Sequence, residues 1–154
     1  MIPSAQLLRR AFVTTAVAWA LLLPLATRLA SEAQPSNGGY LFALFVYVVG
    51  GLVCHQLPAR SFQLWAHQMP VCARCTGIYL GAAVAAIVAL PWTRLAIRRS
   101  RAVLIAAALP TVLTLVYEWT TGEMPANGIR FAAGVPIGLV VASLVVTAAD
   151  NQVN

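Results

Sequence analysis

Charge is what this chain has least of, and lysine is absent altogether. Of its 154 residues only 9% are charged, and all ten basic ones are arginine. A soluble domain of that length needs more charge to cover its surface, so a water-borne globule is excluded and a membrane protein becomes the starting class. An apolar content of 60% and a mean hydropathy of +0.81 agree. The net charge of +6 would suit nucleic acid in a soluble protein. Here the arginines sit in short connections between apolar runs, the positional habit of topology signals, so no nucleic-acid partner is expected.

Other absences narrow the chemistry. No apolar run alternates as a barrel strand must, which leaves helices as the spanning element. Thr76, not a histidine, follows Cys75, which excludes haem attachment through Cys-x-x-Cys-His. Ser61 has no base at a motif spacing and is not read as a nucleophile. No nucleotide cofactor is expected either.

What is present is length of apolar chain. Five stretches, 12–29, 40–57, 76–92, 102–119 and 129–149, each approach the ~20 residues that cross a bilayer as a helix. The expected fold is all-α, a polytopic integral membrane protein of about five transmembrane helices forming a single domain over 1–154. Arg9, Arg10 and the Ser-Glu-Ala at 31–33 also fit a signal peptide, whose cleavage would leave four helices. Pro24 and Arg28 fit that reading poorly. Short connections make neighbouring helices antiparallel, so the N-terminus, the 54–75 loop and the 120–129 loop share one side. Each side carries five arginines, Arg9, Arg10, Arg60, Arg74 and Arg130 against Arg28, Arg94, Arg98, Arg99 and Arg101; the last four of these crowd together, which favours their side as cytoplasmic and the cysteine loop as outside the cell membrane. Gly77, Gly81, Ala85 and Ala89, and likewise Gly134, Gly138 and Ala142, recur every fourth residue and let helix backbones approach closely.

All three cysteines and both histidines fall within 54–75. Cys54 lies near the exit of the second helix, and Cys72 and Cys75 at the entrance of the third, so a helical hairpin brings the thiols to one membrane face. Two thiols one turn apart can hold a single ion, and zinc completes a tetrahedron with Cys or His. Pro70 marks the helix start, and the N-terminal dipole with Arg74 stabilises thiolates there. The expected ligands are Cys54, His55, Cys72 and Cys75, with His67 the alternative fourth because adjacent Cys54 and His55 are awkward on one ion. Two other readings stay open. Cys72 and Cys75 can form the dithiol–disulfide couple of a membrane oxidoreductase, with a quinone as partner, although such enzymes use a second cysteine pair and only Cys54 remains. The site can also belong to a metal or small-solute transporter.

Intramembrane charge is costly unless paired, so Glu118 and Arg130 are expected as partners across the turn between the last two helices. With Asn127 and Arg60 they outline either a structural ion pair or a polar vestibule beside the thiols, open to an ion, a lipid headgroup or a small solute. Trp65 suits the interfacial aromatic belt.

Taken together, Cys54, His55, Gln56, Pro58, Arg60, Ser61 and Phe62, followed by the run from Pro70 to Gly81, resemble the signature of a small predicted-membrane-protein family, domain of unknown function twenty eighty-five. Glu118, Asn127, Arg130, Gly134 and Gly138 are the counterparts of its later half. That family more often has Asp followed by Gln where this chain has Glu118, Thr120 and Thr121. The resemblance covers roughly residues 40 to 145. It implies an integral membrane protein of unassigned biochemistry, and it favours His55 over His67 because His55 belongs to the matched motif.

Overall fold

A run of apolar residues without a strand-like alternation buries its own backbone polarity by coiling, and the computed structural model, which describes residues 3–32, 36–88 and 100–151, is built mainly of such coils. Its elements are α1 (Pro3–Ala30), α2 (Asn37–Val53), a single 3-10 turn (Pro58–Arg60), β1 (Ser61–Leu64), β2 (His67–Cys72), α3 (Ala73–Val88), α4 (Ser100–Thr121) and α5 (Asn127–Asn151). The fold is all-α in class, with one small hairpin set between α2 and α3.

Three helices, over Gln6–Ala30, Arg101–Thr121 and Asn127–Ala149, are long and apolar enough to cross a membrane. Helices α2 and α3 run 17 and 16 residues, short of the ~20 expected of each run. The second helix stops at Val53 rather than 57, and the third starts at Ala73 rather than 76. The end of the expected third helix, with Ala89, lies outside the described residues, as do Ala33, Arg94, Arg98 and Arg99. Large apolar side chains face outward along the bundle, Leu21, Phe45, Leu52, Ile87 and Leu113 among them. Exposure on that scale suits a lipid surround and would be an aggregation hazard in water.

Helices α3 and α5 approach most closely, and glycine makes this possible. A Cβ added to Gly77 would lie 2.1 Å from the Phe131 carbonyl oxygen, and one on Gly81 2.4 Å from that of Val135. From the other side, a Cβ on Gly134 would lie 2.2 Å from the Arg74 oxygen and one on Gly138 1.9 Å from that of Ile78. Real Cβ atoms do not approach backbone oxygen so closely, so any side chain at these four positions would push the helices apart.

The 54–75 stretch, expected as a connecting loop, carries an antiparallel hairpin. Ser61 pairs with Cys72, Gln63 with Gln68 and Leu64 with His67, with an irregularity between Ser61 and Gln63. Trp65 and Ala66 form the two-residue tip at φ 51° and 60°. A two-residue tip with both residues left-handed is the type I′ geometry, which Asn-Gly normally supplies. A non-glycine residue there costs roughly 1–2 kcal/mol, so packing must hold the tip. Met69, Pro70 and Val71 are buried, Met69 and Val71 in one cluster with Leu23, Ala26, Val46 and Cys54. At the surface the Arg28 guanidinium lies 6.0 Å from the Trp65 ring centre.

Candidate functional site

The end of α2 decides where the first sulfur goes. Cys54 is its C-cap, at φ −147° and ψ 139°, so the chain leaves the helix extended and the side chain turns inward. Gln56 then fastens this corner to β2, its Nε2 donating to the carbonyls of Tyr47 and Pro70, each at 2.7 Å. Gln68 Nε2 donates back to the Gln56 carbonyl, and the Tyr47 hydroxyl to that of Gln68. Gly50 is needed here too, since a Cβ would sit 2.4 Å from the Pro70 oxygen. Pinned this way, β2 delivers Cys72 beside Cys54, and Cys75 follows in the first turn of α3.

The sulfurs of Cys54, Cys72 and Cys75 all lie within 4.8 Å of one another. All three cysteines are free, and the Cys72 backbone N–H donates to Cys54 Sγ at 3.2 Å. A tetrahedral ion with metal–sulfur bonds of ~2.3 Å sets its sulfurs about 3.8 Å apart, which this group can meet with small side-chain adjustments. A hydrogen bond from the Cys75 thiol holds the Cys72 thiol down to about 5, against burial that raises it. Lesser help comes from the Cys75 and Arg74 amides and from Cys54.

Neither imidazole joins the three sulfurs in that group. His55 is exposed but lines the same cavity as the cysteines, about 250 Å³ in volume. His67 sits near the exposed hairpin tip, its Nδ1 3.4 Å from the Trp65 carbonyl oxygen, and lines a separate apolar cleft with Leu29 and Tyr40.

Beside the thiols stands a buried carboxylate with three guanidiniums around it. Glu118 is 8% exposed. Its Oε1 accepts from Arg130 Nη2 at 2.5 Å and lies 3.7 Å from Arg74 Nη2, while Oε2 is 3.4 Å from Arg60 Nη2. The sequence pairs Glu118 with Arg130 and leaves Arg74 as a neighbour of the thiols. In the structure Arg74 turns to α4 instead, donating to Thr114 Oγ1 at 3.0 Å. The Gly134 stripe is visible in the sequence, but its consequence is not: the close α3–α5 contact it permits carries the first turn of α3 towards Glu118. Asn127 Nδ2 donates to the Ser61 carbonyl at 3.0 Å and ties the start of α5 to the hairpin. Arg60, Arg74 and Arg130 line the same cavity as the three cysteines.

Fold and site define a small helical membrane protein with a compact cluster of free thiols opening on an arginine-rich cavity. The chain belongs to the family described as "Predicted membrane protein (DUF2085)", whose pattern matches residues 54–144. That span starts at Cys54 and takes in the hairpin, the thiols, Glu118 and Arg130. The chain is 46% identical over 55 residues to an uncharacterised protein of Methanocaldococcus jannaschii, covering 36% of this chain and 35% of that protein. It is 35% identical over 95 residues to an uncharacterised protein of Methanothermobacter thermautotrophicus, covering 60% of this chain and 83% of that protein. The chain thus spans about a third of the first relative and most of the second. No solved structure matches it.

Proposed function

We propose that this membrane protein holds one thiophilic metal ion, zinc by preference, on Cys54, Cys72 and Cys75. The observation that carries the reading is the convergence of three free sulfurs within 4.8 Å from separate segments. An ion there would clamp the exit of α2 to the entrance of α3, a link the short hairpin alone leaves to hydrogen bonds. Zinc suits a sulfur-rich tetrahedral set and brings no redox chemistry of its own. His55, on the wall of the same cavity, supplies the fourth donor after a side-chain rotation. Glu118, Asn127, Arg130 and Arg60 form a polar vestibule next to the ion, suited to an ion, a lipid headgroup or a small solute. The protein is multi-pass in the cell membrane, with the cysteine face extracytoplasmic because the densest arginine run lies in the opposite loop.

Elemental analysis of detergent-purified protein, with thiol counting, tests this. One zinc per chain, lost in both Cys54→Ala and Cys75→Ala, supports the clamp.

A second reading rests on the hydrogen bond between Cys75 and Cys72 and the lowered Cys72 thiol. In it the two thiols lose two electrons and two protons to a quinone and join as a disulfide. Metal-free protein with a reversible Cys72–Cys75 disulfide would favour that chemistry. A metal that exchanges readily and crosses liposomes would favour a transporter.

A further inference from the structure

The charge in the cavity wall is lopsided. Arg60, Arg74 and Arg130 surround the single carboxylate of Glu118, at 3.4, 3.7 and 2.5 Å. Two positive charges are left over when the thiols are protonated, and one when three thiolates hold a dication. A positive surplus therefore remains with or without the metal. Exposed arginines could leave such an excess to water. These cannot all do so, because the Arg74 and Arg130 side chains are only 18% and 3% exposed.

The hydrogen bonding is incomplete in the same place. Nε of Arg130 and Nε of Arg74 are both buried and have no hydrogen-bond partner. A buried donor on a charged group is costly when left unpaired. The Nε–Nη edge of a guanidinium is a fork that fits two oxygens of one anion, a geometry shared by phosphate, sulfate and carboxylate. Both residues line the 250 Å³ cavity together with Arg60. That volume lies below the ~300 Å³ typical of pockets for larger organic ligands, so the fitting guest is compact.

We infer that this cavity is a binding site for a compact oxyanion of the phosphate type, held by Arg60, Arg74 and Arg130 beside the thiols. The site deepens the vestibule reading and stands apart from the metal reading. The anion neutralises the excess charge and leaves Glu118 as the counter-ion that spaces the three arginines; the buried Nε groups reach it once the Arg74 and Arg130 side chains turn towards the cavity. Val53 and Leu57 are exposed and line the same cavity, so the phosphate can be free or can be the headgroup of a lipid whose chains lie on them.

The test uses full-length protein in a maltoside detergent, which brings no phosphate of its own. Labelled inorganic phosphate is titrated by equilibrium dialysis, and phosphatidic acid is titrated separately in mixed micelles against a phosphatidylcholine control. The expected result is saturable binding of at least one of them at one per chain, weakened tenfold or more in Arg60→Gln and in Arg74→Gln. Binding of phosphate identifies a free anion as the guest; binding of phosphatidic acid alone identifies a headgroup. Arg60 is half-exposed and its variant should keep the wild-type melting temperature, so a loss there is a loss of binding and not of fold. No saturable binding of either ligand, or equal binding by wild type and both variants, overturns the site. Zinc measured on the same samples, and phosphate binding by a variant with all three cysteines changed to serine, keep the fate of the metal reading separate.

Discussion

Cys54 and Cys72 are joined by a bond that is neither a disulfide nor a metal link: the backbone N–H of Cys72 points at the Cys54 sulfur from 3.2 Å. That amide–sulfur contact fixes the end of α2 against the end of β2. Arg74 and Cys75 follow within one turn of Cys72, so the contact also sets where α3 begins relative to Cys54.

Gln56 is the residue that holds this contact in register. Its two donated bonds, to Tyr47 and Pro70, are both 2.7 Å. Replacing it by alanine leaves carbonyls unpaired and should cost about 1–3 kcal/mol. Thermal melting in detergent should show the loss, and zinc affinity should fall at least tenfold, as it does when groups that orient metal ligands are removed. Unchanged zinc affinity in Gln56→Ala would remove Gln56 from that role.

Thiol reactivity carries a pH signature. Because the Cys72 thiol is lowered to about 5, its thiolate persists as pH falls until that value is passed. In metal-free protein, iodoacetamide should modify one thiol at a rate nearly flat from neutrality downward and halved near pH 5. Cys72→Ser should abolish that component. A rate that only rises towards the ordinary thiol value of ~8.5 would contradict the assignment.

The α3–α5 contact can be tested with a matched pair of glycines on one helix. A Cβ at Gly138 would meet the Ile78 oxygen at 1.9 Å, whereas one at Gly128 meets nothing within 4 Å. Gly138→Ala should destabilise by about 1–3 kcal/mol through overpacking. Gly128→Ala should be neutral or stabilise by up to ~1 kcal/mol through helix propensity. Equal melting temperatures for the two variants would place the contact elsewhere.

Glu118 is the one carboxylate among three guanidiniums. Glu118→Gln leaves Arg130 buried without its counter-ion and should cost about 3–5 kcal/mol. Arg60→Gln should cost under ~1 kcal/mol, since that side chain is 40% exposed and Glu118 keeps its other two partners. Size-exclusion profiles after graded heating would rank the two variants.

Much of this was legible in the chain itself. The membrane class follows from sparse charge and long apolar runs, and the family from the motif around Cys54 and the run from Pro70 to Gly81. The hairpin was not legible. Its strands are four and six residues long, and its tip is Trp65-Ala66 instead of a glycine or asparagine turn. Tertiary burial of Met69, Pro70 and Val71 holds a turn that local preference opposes. Sequence adjacency links Arg74 to the thiols, whose cavity it does line, but does not reveal its helix contacts. Only the close α3–α5 approach, set by glycines some sixty residues further along, turns it towards Thr114 and Glu118.

Zinc K-edge X-ray absorption on purified, zinc-loaded protein examines the clamp most directly, because it counts the atoms around the ion. Three sulfur neighbours at ~2.3 Å and one nitrogen or oxygen at ~2.0–2.1 Å are expected, with one sulfur lost in Cys54→Ser. A first shell of nitrogen and oxygen alone, or a spectrum unchanged by that substitution, would contradict the clamp.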